Sequence, residues 1–235
     1  MNHVSDVPEQ PPPFVQFGPE VLTGAWETVP VSAVKEFTES WNDLPADGHL
    51  PTDVPYRFRR YSTFRLAAGG LERLPHTAFF QDADVNAVNG GVHRMFAPLE
   101  DSVAAGPVLS AIVTTLYERI PGSTAGIDTC GVHQIRVVAT ADAEGNPAPE
   151  GVHQDGHHYV GQVLIQRDNV RGAESILYDL ERRPVHRAVL REPFETILLD
   201  DRRVLHGVTP VTPAADSRAG VRDMLLVDFF PGPHR

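Results

Sequence analysis

The chain has 235 residues, of which 41% are hydrophobic and 22% charged, a composition that fits one globular domain with a sizeable core. Its formal net charge of −11 argues against nucleic acid and anionic membrane surfaces as partners, because phosphate groups are bound by concentrated cationic side chains. The single cysteine, Cys130, excludes an internal disulfide and any cysteine-rich zinc or iron–sulfur site.

The first residues, Met1 to Asp6, lack both the basic and the apolar segments of a secretory leader, and no run of the sequence is long enough to span a bilayer. Together with the single cysteine, this predicts a cytoplasmic protein. We expect its partner to be a small molecule, with no nucleic acid and no membrane. The sequence leaves the oligomeric state open, a homodimer included.

Residues 1–30 are rich in proline, including Pro11-Pro12-Pro13, and they show no sustained periodicity. This pattern predicts an extended or poorly ordered N-terminal arm. Residues 31–235 are predicted to form a single domain. Its N-terminal part, 31–125, should be helical or mixed, and its core, about 126–230, should be β-rich.

Two helices are predicted in the N-terminal part of this domain. Ser32 is a candidate N-cap, and the apolar residues that follow recur at helical spacing up to Pro45, namely Val34, Phe37, Trp41 and Leu44. The segment Pro107 to Glu118 has the same amphipathic pattern with proline near its first position. Both helices are expected to pack on the core.

Between these helices, Tyr56 to Leu66 alternates aromatic or aliphatic residues with arginine, the period-two pattern of a strand with one wet face. The arginines either form an exposed cationic face or bring Arg57 or Arg59 towards an anionic substrate. The sequence favours the exposed face but does not exclude the second interpretation.

After residue 130 the pattern changes to short strands separated by turn signals such as Asn169, Gly172 and Pro193. The predicted strands are Val132–Val138, Tyr159–Gln166, Glu174–Tyr178, His186–Leu190, Thr196–Leu199, Val204–Val211 and Met224–Phe230. Short strands without intervening helices indicate an antiparallel sandwich or barrel. The fold predicted is mainly β, a small jelly roll with helices packed outside it.

The triplet His153-Gln154-Asp155 precedes one of these strands. In this composition, chance alone predicts about one His-x-Asp triplet, so the motif carries little weight by itself. On an extended chain, however, residues two apart point the same way, and His153 and Asp155 can share one metal ion.

A third ligand must come from elsewhere, and His206 is the leading candidate. It lies 51 residues after Asp155, enough for about four strands to cross the core and return beside the first pair. Two histidines and one carboxylate are the ligand set of non-haem Fe(II) oxygenases. His153, Asp155 and His206 are therefore candidate ligands of one metal ion.

An arginine, Arg222, opens the last apolar strand, 16 residues after His206. Such a residue either closes a salt bridge at the end of a strand or binds a carboxylate through its planar fork. Following a His-x-Asp…His set, the second role is preferred. Arg218 lies close enough in sequence to compete for it.

Four ordered segments carry a family resemblance: Pro149 to Gly156, Gln166 to Gly172, Leu198 to Pro210 and Arg222 to Val227. Together they resemble the 2-oxoglutarate/Fe(II) dioxygenase family that includes the bacterial L-isoleucine hydroxylases. The similarity covers roughly residues 55–230.

The resemblance implies a double-stranded β-helix, the jelly-roll or cupin-like fold. It makes His153, Asp155 and His206 the iron ligands and Arg222 the partner of the 2-oxoglutarate distal carboxylate. The cofactors implied are Fe(II), 2-oxoglutarate as co-substrate and O₂, with release of succinate and CO₂.

The predicted reaction is hydroxylation of an unactivated C–H bond in a small free amino acid or related polar metabolite. The same oxidant could instead drive desaturation or ring closure. A non-enzymatic, cupin-like metal-binding or ligand-binding module is the alternative outside catalysis.

Candidate substrate-binding residues follow from the need for a cation facing a carboxylate and for acceptors facing an ammonium group. They are Arg136, Gln134, Tyr159, Arg94 and Arg59. A solvated strand position or an ion pair within the sheet is an equally good explanation for each. Asp200 and Asp201 either orient His206 or an arginine, or form a turn.

Overall fold

The computed structural model describes residues 10–26, 29–50, 52–68, 70–83 and 90–232. Within these ranges the α-helices are α1 (Pro19–Thr23), α2 (Val31–Glu39), α3 (Asp101–Ala104) and α4 (Pro107–Glu118). Short 3-10 helices follow α1 and α2, at Gly24–Trp26 and Ser40–Asp43. None of these helices is both long enough and apolar enough to cross a membrane.

The strands of the described ranges are β1 (Phe14–Phe17), β2 (Arg57–Ala67), β3 (Gly70–Arg73), β4 (Thr129–Ala139), β5 (Tyr159–Asp168), β6 (Val170–Gly172), β7 (Ser175–Tyr178), β8 (Pro184–Ala188), β9 (Thr196–Asp200), β10 (Leu205–Val208), β11 (Val211–Pro213) and β12 (Gly220–Phe230). They form a seven-stranded sheet in the order β1-β9-β5-β12-β4-β2-β3, a three-stranded sheet β10-β7-β8 and a pair β11-β6. Neighbouring strands run antiparallel, and the architecture is a jelly roll.

The helices cover one face of the seven-stranded sheet. Apolar residues of α2 and α4, such as Phe37 and Ile112, pack in one buried cluster with Val132 of β4 and Leu225 of β12. The Nε1 atom of Trp41 donates to the backbone oxygen of Met224 at 3.2 Å and ties the 3-10 helix after α2 to the central strand, β12. This face is the larger core.

The small sheets face the other side of the large sheet. Leu177 of β7 packs with Leu164 of β5 and Met224 of β12, and Val211 of β11 packs with Ile135 of β4. Because successive side chains of a strand point to opposite faces, each long central strand contributes to both cores. The interior between the sheets is where the candidate ligands lie.

The predicted helices and β-rich core are confirmed, with two corrections. Helix α2, the first of the two predicted helices, begins at Val31 after Pro30, so Ser32 lies inside its first turn and is not the N-cap. Part of the predicted N-terminal arm is also not extended. Residues 19–26 are helical, with Pro19 starting the helix and with Leu22 and Trp26 buried on the larger core. Residues 1–9 and 27–28 of that arm lie outside the described ranges.

Candidate metal centre

A cavity lies over the inner face of the seven-stranded sheet. Its floor consists of alternate residues of three neighbouring strands, aligned by the antiparallel register. They are Arg57 and Arg59 on β2, His133, Ile135 and Val137 on β4, and Arg222, Met224, Leu226 and Asp228 on β12. Since a strand rises about 3.3 Å per residue, Arg222 and Asp228 mark two ends of the floor roughly 20 Å apart.

Opposite this floor, His153 and His206 are joined through their backbones. His206 belongs to β10, and the two residues form an isolated antiparallel bridge with N–H···O distances of 2.9 and 2.8 Å. The bridge places their imidazole centroids 4.4 Å apart. Backbone pairing thus joins positions that are 53 residues apart in the sequence.

Asp155 completes a group of three potential metal ligands. Its carboxylate oxygens lie 3.5 Å from Nε2 of His153 and 3.1 Å from Nε2 of His206. One ligand atom from each residue can be chosen so that all three lie within 4.8 Å of one another. The residues predicted as ligands therefore converge on one point of the cavity wall.

The remaining contacts of the two imidazoles leave their Nε2 atoms available for a metal. Nδ1 of His153 is 2.9 Å from the carbonyl oxygen of Gly151, to which it can donate. Nδ1 of His206 is 3.4 Å from the amide of Gln162, while its buried Nε2 has no hydrogen-bond partner. An orphaned buried nitrogen beside a carboxylate fits a site for a divalent cation with nitrogen and oxygen ligands.

The loop that carries Asp155 is fixed by Asp201. The Asp201 carboxylate accepts hydrogen bonds from the backbone N–H groups of Asp155, Gly156 and His157 at 2.8–3.1 Å. Asp200 instead holds the guanidinium of Arg202 at 2.8 Å. Asp200 therefore pairs with an arginine inside the turn. Asp201 orients the loop that carries Asp155, a role that the sequence did not predict.

Electrostatics at the centre follow from burial and close opposite charges. Burial opposes ionisation of Asp155, but His206 and His153 hold the pKa of its carboxyl well below its usual range. Burial would lower the pKa of His153, yet the hydrogen bond to Asp155, the charges of Asp155 and Glu150 and the contact with Gly151 together outweigh it and raise that pKa to about 9. Burial, then the charge of Asp155, raises the pKa of Asp201 to about 6. Asp155 is therefore ionised and able to act as an oxygen ligand.

Gln81 makes a second contact to Asp155 that the sequence did not predict. The Gln81 amide donates to the backbone oxygen and to Oδ1 of Asp155 at 3.1 and 3.3 Å. Nη2 of Arg94 in turn donates to Oε1 of Gln81 at 2.5 Å. The sequence offered no signal for this chain of contacts, because Gln81 and Asp155 are far apart along the chain and only folding joins them.

Arg222 and Arg218 occupy different environments. Arg222 is 4% exposed, lies in the cavity, and its Nε has no hydrogen-bond partner among the described residues. Burial lowers the pKa of its guanidinium to about 10. Arg218 is exposed and paired with Asp168. The geometry therefore leaves Arg222, and not Arg218, available for an anion inside the cavity.

Three of the five residues predicted to bind the substrate lie outside the cavity. Arg136 donates through Nε and Nη2 to the two carboxylate oxygens of Asp223 at 2.7 Å, Gln134 donates to Ser40, and Tyr159 donates to the carbonyl of Ser123. On β4, His133, Ile135 and Val137 point to the cavity. Because successive side chains of a strand alternate between its two faces, Gln134 and Arg136 point to the helices. Tyr159 packs in the larger core.

The other two candidates, Arg59 and Arg94, line the cavity, as does Arg57. The interpretation of β2 as a strand with an exposed arginine face is wrong for Arg57 and Arg59, which are 3% and 7% exposed. Arg57 is neutralised by Asp47 at 2.8 Å. Two further lining residues, His133 and Asp228, were not predicted, because β4 and β12 are buried on both faces and their sequences do not mark which face is inward.

Comparison with known proteins gives consistent results. A family model described as "2OG-Fe dioxygenase" matches residues 38–228. An L-isoleucine-4-hydroxylase from Bacillus thuringiensis is 30% identical over 157 residues, which is 64% of this chain and 64% of that relative, less than two thirds of its length. A 3(1)-hydroxy-L-isoleucine 4-dioxygenase from Pantoea ananatis is 23% identical and covers 83% of this chain and 80% of its own.

Solved structures agree on the fold. The crystal structure of a bsmA homolog from Methylobium petroleophilum PM1 has a TM-score of 0.82 and 31% identity, covering 97% of this chain and 91% of that one. The structure of IDO from Bacillus thuringiensis has a TM-score of 0.76 and 23% identity, covering 94% and 95%.

Proposed function

The chain belongs to the 2OG-Fe dioxygenase family, and from that premise we propose that it hydroxylates an unactivated C–H bond of a small free amino acid. The observation that carries the proposal is the convergence of His153, Asp155 and His206 on the cavity wall, with their ligand atoms within 4.8 Å. These three residues would hold Fe(II). When bound there, Fe(II) with 2-oxoglutarate and O₂ supplies an oxidant for C–H bonds and releases succinate and CO₂.

Arg222 binds the distal carboxylate of 2-oxoglutarate in this proposal. Its guanidinium is buried, faces the cavity and has no carboxylate within ion-pair distance among the described residues. A buried cation without a counter-ion is costly, and an anionic ligand with two oxygens matches its planar fork. The co-substrate would lie along the floor from the metal centre towards the Arg222 end of β12.

The remaining residues of the chain orient and enclose the reactants. Asp201 and Gln81 fix Asp155 from two sides, which limits its carboxylate to few orientations. The wall between the polar groups is apolar, with Ile135, Met224 and Leu226 on the floor. Such a lining excludes water from a reactive centre and accepts an aliphatic substrate chain.

An amino acid substrate is supported by the names of the two relatives, both of which act on isoleucine or a hydroxyisoleucine. The cavity supports the same class, because buried groups of both charges line it beside apolar side chains. L-isoleucine is therefore the first compound to test, followed by the other common L-amino acids.

The test is substrate-dependent release of succinate from 2-oxoglutarate by the Fe(II)-loaded protein, with mass analysis of the amino acid product. Hydroxylation adds one oxygen, whereas desaturation or ring closure removes two hydrogens. His206→Ala is expected to abolish both Fe(II) binding and turnover. His186→Ala, a histidine of β8 that bonds Gln16 outside the cavity, is the matched control and should retain both.

Two outcomes would contradict the proposal. Full activity of the His206→Ala variant would remove the ligand assignment. A wild-type protein that binds neither Fe(II) nor 2-oxoglutarate, and that turns over none of the amino acids, would be better explained as a metal-free binding module.

A further inference from the structure

The geometry points to Arg59 and Asp228 as the anchors for the carboxylate and the ammonium group of a zwitterionic amino acid with an aliphatic side chain. The inference rests on the proposed function and adds the recognition chemistry of its substrate. Both groups are buried, 7% and 3% exposed, and both line the cavity that holds the candidate metal centre.

His133 links the two groups, and the contacts fix its own tautomer. Nη2 of Arg59 lies 2.8 Å from Nδ1 of His133, and Nε2 of His133 lies 2.9 Å from Oδ2 of Asp228. Because a guanidinium only donates, Nδ1 must accept and Nε2 must carry the hydrogen that goes to Asp228. Burial, then the charge of Arg59, lowers the pKa of His133 well below its usual range, which agrees with a neutral ring. A guanidinium and a carboxyl group are thus held on either side of one neutral imidazole.

Arg59 is the guanidinium of the cavity that remains for a substrate carboxylate. Arg57 is paired with Asp47, Arg94 donates to Gln81, and Arg222 serves 2-oxoglutarate in the proposal above. Arg59 has no carboxylate within ion-pair distance among the described residues, and its buried Nε has no partner. Phe96 and Phe79 flank its guanidinium at 4.3 and 5.3 Å and hold it in place.

Asp228 is the matching acceptor. In the described ranges its carboxylate contacts only imidazoles, His133 at 2.9 Å and His157 at 3.5 Å, and no arginine or lysine. Burial, then the charge of Asp155, raises the pKa of Asp228 well above its usual range. An ammonium group would supply the missing cation and favour the ionised carboxylate.

The position of these anchors also restricts the side chain. Arg59 is opposite Ile135 in the register and Leu226 is opposite His133, so aliphatic side chains lie beside the charged groups on the floor. An amino acid held by its two charged ends can therefore place an aliphatic chain against apolar surface of the cavity that also contains the metal centre.

The experiment measures binding by calorimetry to the protein loaded with Fe(II) and 2-oxoglutarate without oxygen, so that no turnover occurs. The probes are L-isoleucine, L-leucine and L-valine, each with its primary amide and with the carboxylic acid that lacks the amino group. We expect wild type to bind at least one amino acid about 10-fold or more tighter than both of its analogues.

Variants assign each end of the ligand. Arg59→Gln should remove the preference for the acid over the amide, and Asp228→Asn should remove the preference for the amino acid over the amine-free acid. Arg60→Gln is the matched control, since Arg60 is the next residue of β2 and bonds Pro98 and Glu100 away from the cavity. It should leave both preferences unchanged. Arg59→Lys, which keeps the charge, should restore part of the first preference.

Binding of Fe(II) and 2-oxoglutarate is measured on every variant and shows whether its site is folded. If wild type binds both but binds the amides and amine-free acids as tightly as the amino acids, the zwitterion anchors are wrong while the oxygenase proposal stands. The same conclusion follows if wild type binds none of the nine probes. If wild type binds neither Fe(II) nor 2-oxoglutarate, the proposed function itself fails.

Discussion

Arg222 and Arg218 are four positions apart in the sequence, but the guanidinium of Arg222 is buried in the cavity and that of Arg218 is exposed and paired with Asp168. If Arg222 binds 2-oxoglutarate, Arg222→Gln should weaken that binding about 30-fold or more, because truncating one partner of a buried charge pair costs about 2–5 kcal/mol. Arg218→Gln removes only an exposed pair with Asp168 and should change the affinity less than about 3-fold. Calorimetry on the Fe(II)-loaded protein without oxygen measures both.

The same pair of variants has a second readout. Without ligand, Arg222→Gln removes a buried charge that has no counter-ion among the described residues, so its melting temperature should equal or exceed that of wild type. A structural role for Arg222 would lower it instead. Equal 2-oxoglutarate affinity in the two variants would contradict the assignment.

At the scale of single residues, sequence reasoning succeeded where a residue type is needed for chemistry and failed where orientation depends on a partner strand. The converging histidines and Asp155 could be predicted from a ligand set and a spacing. The outward orientation of Arg136 could not, because parity is fixed only once β4 is paired with β12 and one face is assigned to the helices. Gln81 and His133 have no motif at all, and only tertiary contacts reveal them.

At the scale of elements, the pair β6–β11 depends on one glycine. Gly172 has a φ of 74°, and a Cβ there would lie 2.1 Å from the backbone oxygen of Pro210. Gly172→Ala should therefore cost more than the roughly 1–2 kcal/mol expected for a left-handed alanine alone. Gly126 has a φ of 79° with nothing within 4 Å of its Cβ, so Gly126→Ala isolates the backbone cost.

Urea unfolding of the two variants compares these costs, provided the slopes agree. Gly172→Ala should have the lower midpoint by a clear margin. Since Pro210 follows β10, which carries His206, this variant should also bind Fe(II) more weakly than Gly126→Ala. Equal midpoints would mean that the β6–β11 pair relaxes without cost and does not hold the end of β10.

The elements that the sequence missed are short. β1, β3 and β6 have three or four residues each, too few for a period-two pattern to rise above chance. Their pairing comes from tertiary context, as when β1 adds to the edge of β9. The long strands β4, β5 and β12 were predictable because each has 10 or 11 residues bounded by turn signals, enough for a β-rich run to stand out from its surroundings.

At the scale of the whole molecule, the seven-stranded sheet separates two tasks. Its outer face packs on helices through large apolar side chains and supplies the larger core, while its inner face carries the charged residues of the cavity. Buried arginines and carboxylates are costly, and the larger core provides the stability that offsets them. This division explains why polar residues of β12 can alternate with core residues along one strand.

Cys130 reports on the integrity of this arrangement, because it lies on β4 in the larger core and is fully buried. Burial raises the pKa of its thiol, and the thiolate is the form that reacts with disulfide reagents. A chromogenic disulfide should therefore label the native protein negligibly over the time that labels one thiol per chain in denaturant, with Cys130→Ala as the unlabelled control. Labelling in increasing urea should follow the loss of far-UV circular dichroism. Rapid labelling without denaturant would show that β4 opens in the native state and that the two faces of the sheet are not rigidly coupled.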